Sequence, residues 1–387
     1  MLTPSRASPL PQKSSVAIIF RLYAFETGMT AIHIKFPALT LKAGARAFAR
    51  IRQAGLSAAD VGILPGAAGG PKALGIQGLD LALFGEWLPA EPRERSLIGA
   101  SVGSWRFASA CLPDAAEGLR RLGTLYNEQS FAKGVTMAGV TQSSQRMLDD
   151  LLEGRDTSIL ANPHYRLNIM VVKSHGLLAL DHRGRLGLGL SSVIADNLRG
   201  RARLSRHFER LIIHDPRLAP PLHPLNDFPS RFVALDAGNL RQALLASGSI
   251  PMVMEGVRDL PGAGAGTYRD GGLLDYHLDL PYSGDGIVLY PHFTDRVIPG
   301  WFDKGLPWRR GDAERLQDVL LLAPSREYLA RLPFGKLPDR NDFKRFMGDD
   351  PSRRKYWRTA MDESRRLGDE FLELTANGAL GERLLTL

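Results

Sequence analysis

Residues 96–112 read SLIGASVGSWRFASACL, and how this stretch is parsed decides the fold. Its first five residues, SLIGA (96–100), have the length and apolar character of a strand covered on both faces. Its last ten, GSWRFASACL (103–112), place apolar side chains at helical spacing. Between them lies a Gly-x-Ser-x-Gly pattern running from Gly99 to Gly103, so the stretch predicts strand, tight turn and helix with Ser101 at the bend. The glycines allow a cramped backbone there, and a serine at a helix N-terminus faces amide dipoles that favour a nascent anion. A glycine-lined turn with an idle serine is the competing interpretation. The motif leaves one question open, because no histidine lies close by in sequence to take the serine proton.

The same rhythm extends outward. Short apolar runs at 61–65, 167–174, 210–215, 231–236, 286–291 and 318–324 read as further strands. Longer amphipathic runs at 41–55, 71–88 and 144–154 read as helices between them, the first ending on Gly55 as a C-cap often does. Strands that are apolar throughout, alternating with helices, predict an α/β protein, three-layer α/β/α with a mostly parallel central sheet. Residues 31–335 are expected to form the main domain, and the charged, helical 336–387 segment to pack on it. Residues 1–30 form a Pro/Ser-rich extension in which Met29 offers a second start. Its longest apolar run, VAIIF (16–20), is too short for a signal peptide.

Composition narrows the function. The 387-residue chain is 44% hydrophobic, enough for one large core without staples. Its single cysteine, Cys111, excludes an internal disulfide framework and a cysteine-based zinc cluster; on the predicted helix it reads as a buried, inert thiol. With no apolar run long enough to span a bilayer, a cytoplasmic location is expected. The formal charge of +8 is compatible with an acidic partner or an anionic membrane surface. Basic runs such as DNLRGRARLSRHFER (196–210) read first as solvated helix faces. They lack the aromatic interleaving of a nucleic-acid module, so no nucleic acid is expected.

Two further motifs bear on chemistry. LPGAAGGPKALG (64–75) is a glycine-rich loop between a strand and a helix, whose amides suit a phosphate or a tetrahedral oxyanion. It lacks the Gly-Lys-Ser/Thr ending of a P-loop. Its donors are expected around Ala68, Gly69 and Gly70, with Lys72 as a fixed charge at the rim. Downstream, TYRDGGLLDYHLDLP (267–281) contains Asp270 followed by two glycines, which let a carboxylate turn into a cleft. A carboxylate is a weak base at its ordinary pKa, and burial improves the match. An Asp-Gly β-turn explains the tripeptide equally well.

Taken together, the ordered motifs at 66–75, 99–103 and 270–272 resemble the patatin-like phospholipases, serine acyl hydrolases with a Ser–Asp dyad. The segment ALLASGSIPMVMEGV (243–257) is similar to that family's Ala-Ser-x-x-x-Pro stretch. The likeness covers about residues 58–295. It implies Ser101 as nucleophile, Asp270 as base, the 68–70 loop as oxyanion hole, a lipid or small ester substrate, and no cofactor or metal. The chain departs from the pattern at Ala68 and Ala73, where the loop usually has glycine. It departs again at Asp275, Tyr276 and His277, where the family often has Asn-Asn-Pro; Asp275 and His277 are expected at the pocket rim. Two alternatives stand beside this one. Ser101, Asp270 and either His277 or His292 follow the chain order of an α/β-hydrolase triad. Alternatively, the protein keeps the cleft without the chemistry, as a lipid-binding adaptor. The aromatic, basic segment 291–310 is a candidate membrane-facing rim.

Overall fold

All seven apolar runs expected as strands are strands, and four further ones complete the sheet. The computed structural model describes residues 36–387; the N-terminal extension and the alternative start at Met29 lie outside the described residues. In chain order the strands are β1 (Leu39–Ala43), β2 (Val61–Gly66), β3 (Arg95–Ala100), β4 (Tyr165–Ser174), β5 (Phe208–His214), β6 (Ser230–Ala234), β7 (Val257–Arg258), β8 (Thr267–Asp270), β9 (Ile287–Pro291), β10 (Val319–Pro324) and β11 (Leu384–Thr386). They form one 11-stranded sheet in the order β11-β1-β10-β9-β2-β3-β4-β5-β6, with β8 on β4 and β7 on β8. From β10 to β4 every pairing is parallel. These central strands are buried along nearly their whole length, which is why their sequences run apolar without alternation. Helices cover the sheet, and the protein is a three-layer α/β/α fold.

β4 is the longest strand, and its edge is shared. Its first six residues pair with β3 in parallel register, ending at Ala100 opposite Met170. Its last four pair with β8 in antiparallel register, ending at Asp270 opposite Val171. β5 pairs along the other edge over Asn168–Ser174, so β3 and β8 lie on the same side of β4. They run toward each other and stop at adjacent rungs.

Two sequence expectations change. The helix expected at 41–55 begins at Ala45, because residues 39–43 alternate in burial as an antiparallel partner of β10. A Cβ at Gly44 would lie 1.9 Å from the Leu316 carbonyl oxygen, so the chain turns there. The single helix expected at 71–88 is instead a 3₁₀ turn (Gly70–Ile76), an α segment (Gln77–Ala82), a π turn (Leu83–Trp87) and another 3₁₀ turn. Gly78 is pressed against the Ser364–Arg365 backbone and gives its amide to Ser364 Oγ at 2.7 Å. That contact docks helix Arg365–Ala376, and residues 38–387 form one unit.

The C-terminal segment does more than pack. β11 pairs with β1, and Glu370, which is buried, accepts the Ala38 amide and pairs with Arg383 at 2.9 Å. Replacing Glu370 with alanine strands the Ala38 amide at the start of β1, and leaving such a group buried and unpartnered costs about 1–3 kcal/mol. A lowered denaturant midpoint with an unchanged m-value is the expected result.

Candidate active site

Ser101 sits where β3 ends and helix Val102–Ala110 begins, with φ 56° and ψ −129°. A side-chain-bearing residue adopts that conformation only when its surroundings impose it. Here they do. A Cβ at Gly103 would lie 1.9 Å from the Gly66 carbonyl oxygen, and one at Gly99 would lie 2.5 Å from the Ser104 backbone, so both motif glycines are required by close approach. The helix is anchored from two sides: Trp105 Nε1 donates to the Leu244 carbonyl at 2.8 Å, and Arg106 makes a buried two-pronged pair with Asp80. Cys111, at the far end, is fully buried, and burial pushes its thiol up.

Asp270 arrives from the opposite direction at the end of β8. Its neighbour Gly271 is obligatory, because a Cβ there would lie 2.3 Å from the Met170 carbonyl oxygen; one on Gly272 would strike Ala68 at 2.6 Å. The Asp-Gly-Gly tripeptide is therefore explained by packing against β4 and the glycine loop. The carboxylate accepts the Gly272 amide at 2.8 Å, and the Ser101 side chain is among the groups that act on its pKa. Burial raises its pKa above the ordinary 3.8, while Ser101, Arg340, the Gly272 amide and Lys304 pull it partly back.

One short segment holds both residues in place. Ser247 Oγ accepts the Ser101 amide at 2.9 Å and donates to the Met170 carbonyl at 2.7 Å. Two residues on, the Ser249 carbonyl accepts the Asp270 amide at 3.1 Å. The ASGSIP sequence (246–251) signalled this region, but not its task.

The glycine loop lies beside them, and one expected donor is corrected. The Ala68 amide donates to the Tyr276 carbonyl at 3.0 Å, so it is not available to an oxyanion. Among the described residues the Gly69 and Gly70 amides have no acceptor, and neither does that of Val102 after the serine. Gly70 has φ 56°, and the space above it is filled by Arg340, whose Nε would lie 3.2 Å from a Cβ.

The expected rim residues divide. Lys72 is half-buried over the Phe293 ring at 4.8 Å, and burial lowers its pKa. Asp275 is no rim residue: it is buried in a two-pronged pair with Arg210, both contacts at 2.7 Å. His277 is also interior, and it and His292 are turned away from a triad role. Their Nδ1 atoms accept the Ile298 and Thr294 amides at 3.0 Å each, and burial lowers both pKa values, His292 to about 3. Of the 291–310 segment, Phe293 is buried beneath the loop and Trp301 half-buried, while Trp308 points outward at 68% exposure.

Two features were not legible in sequence. The first is the pair of cations that join Lys72. Lys304 lies over the rings of Tyr276 (4.1 Å) and Trp301 (5.0 Å), and its pKa falls to about 7 through burial and the charges of Arg340 and Lys72. Lys72, Lys304 and Arg340 have no carboxylate partner within ion-pair distance among the described residues. Cations held by aromatic faces instead of carboxylates leave their charge available to a ligand. The second is an apolar cleft of about 590 Å³ that opens from Ser101 between Trp105, Met147, Ile250, Met252, Met254 and Phe343, with Arg183 and Arg340 also in its wall. Its volume is that of a typical small-molecule site.

No protein-family model matches the chain, and no curated protein matches it.

Two outcomes follow from this geometry. Ser247→Ala removes the acceptor of the Ser101 amide, with an expected loss of about 1–3 kcal/mol in chemical denaturation and slower labelling of Ser101 by a fluorophosphonate. Asp270→Asn keeps the Gly272 hydrogen bond but removes a buried charge. A carboxyl whose pKa is raised on folding destabilises the fold progressively as pH climbs from the unfolded to the folded value, and fully above it. The variant should therefore melt higher than wild type at pH 7, with the difference vanishing in acid.

Proposed function

We propose that the protein is a serine acyl hydrolase that cleaves lipid acyl esters through a Ser101–Asp270 dyad, by way of an acyl-enzyme. The observation that carries this is the convergence of β3 and β8 at adjacent rungs of β4, with a strained serine at a helix N-terminus following the one and a buried carboxylate ending the other. Ser101 Oγ attacks the ester carbonyl while Asp270 takes its proton. The negative charge on the tetrahedral oxygen falls to the unpartnered Gly69 and Gly70 amides, with Val102 after the nucleophile. Asp270 returns the proton to the departing alcohol, then activates a water that releases the acid. A buried carboxylate with a raised pKa is a stronger base than a solvated one, and the charges of Arg340 and Lys304 oppose that rise.

The substrate class is supported by the surroundings. The apolar, methionine-rich cleft suits a flexible acyl chain, and the unpaired Lys72, Lys304 and Arg340 suit a phosphate in the alcohol portion. A phospholipid or lysophospholipid satisfies both, and patatin-like enzymes are the family whose motif order this chain resembles.

Ser101→Ala should abolish hydrolysis of a p-nitrophenyl ester, and Asp270→Asn should reduce kcat by at least ~10²-fold, the lower end for loss of a general base. Failure of a fluorophosphonate to label Ser101 in wild type would favour the binding-protein alternative. In wild type the acid limb of kcat/KM should lie above pH 3.8. In Arg340→Ala it should move higher still, since that charge holds the Asp270 pKa down. The same variant should lose more kcat/KM on a phosphate-bearing ester than on a neutral one.

A further inference from the structure

Helix Arg183–Arg199 turns Leu186, Gly189, Val193 and Asn197 into the protein. The opposite side is the unusual one. Leu188, Ile194 and Leu198 are 67%, 49% and 58% exposed, and at 100° per residue they share one outward stripe with Ser191 and Ala195. Arg309 donates to the Asn197 carbonyl at 3.0 Å, which brings the segment bearing exposed Trp308 to the helix's C-terminal end.

The border of this stripe is basic. Arg183, Arg185, Arg199, Arg203 and Arg206 are all exposed. The nearby acids are engaged: Asp181 with Arg269 at 2.5 Å, Asp196 with His207 at 2.9 Å, and buried Asp303 with Asn197 at 2.8 Å. The surface is thus aliphatic at its centre, cationic around it, and edged by a tryptophan.

We propose that this face docks on a lipid bilayer carrying anionic head groups. An aliphatic stripe between arginines places hydrocarbon below and guanidinium groups at the level of lipid phosphates. A second copy of the chain is the poorer occupant, because a two-fold contact would set the same arginines against one another. Arg183 at the start of this helix also lines the cleft that holds Ser101, so docking brings the cleft mouth to the lipid surface. The docking stands independently of the hydrolytic chemistry.

The test is flotation of the full chain with vesicles of phosphatidylcholine, with and without phosphatidylglycerol. Wild type should partition onto the anionic vesicles and detach as salt is raised. Leu188→Glu combined with Leu198→Glu should lower the partition coefficient at least ~10-fold, with hydrolysis of a soluble p-nitrophenyl ester unchanged. Arg185→Ala combined with Arg199→Ala should reduce the preference for anionic vesicles. The proposal is overturned by equal partitioning of the leucine double variant, by no wild-type binding to either vesicle, or by a dimer in sedimentation velocity that the same variant dissociates. Because partitioning is read directly, an unreactive Ser101 and an undocked helix give different results.

Discussion

The edge of β4 governs the rest of the structure. Two strands compete for one line of backbone hydrogen bonds, and neither can take all of it. β3 claims the rungs up to Met170 and β8 those from Val171. Because β3 runs with β4 and β8 runs against it, their C-terminal ends converge, and each must leave the sheet at once. Ser101 and Asp270 are the residues at those two exits. Gly271 can turn away only because it has no Cβ to strike the Met170 carbonyl, and Ser247 ties the Ser101 amide to that same Met170 through its hydroxyl. Met170 is the point about which the site is assembled.

Around this point, steric and electrostatic constraints oppose each other. Burial makes the Asp270 carboxylate basic but costly, and the cations pull its pKa partly back from a distance without forming an ion pair that would quench it. Those cations are themselves costly where they stand, which is why Lys304 is pushed toward neutrality and rests on aromatic rings. An anion entering the recess would relieve all three at once. By contrast, Asp275 shows the structural use of a buried carboxylate. Its two-pronged pairing with Arg210 commits both oxygens to a buried ion pair, though it lies only five residues after Asp270.

The motif order that resembles patatin-like enzymes and the apolar cleft bear on the same functional proposal from different directions. One concerns the reacting atoms and the other the space beside them. The exposed face of helix Arg183–Arg199 concerns neither, and the basic run at its end has a simple interpretation in isolation as solvated surface. It becomes unusual only once the fold shows which leucines are left outside.

Much of this was legible in the chain itself. Runs that are apolar throughout predict the central strands because a strand buried on both faces has no polar positions to lose. Gly99, Ser101 and Gly103 predicted the bend because a local steric requirement leaves a local trace. The helix at 71–88 and the strand at 39–43 were misread, since what breaks the one is a contact with Ser364 and what makes the other is pairing with β10. The meeting of Ser101 with Asp270, the loss of the Ala68 amide to Tyr276, the interior positions of Asp275 and His277, and the convergence of Lys72, Lys304 and Arg340 were decided only by tertiary structure. Each depends on which residues, far apart in the chain, are brought within a few ångströms; local sequence encodes turns and periodicity, whereas strand order along β4 sets those distances.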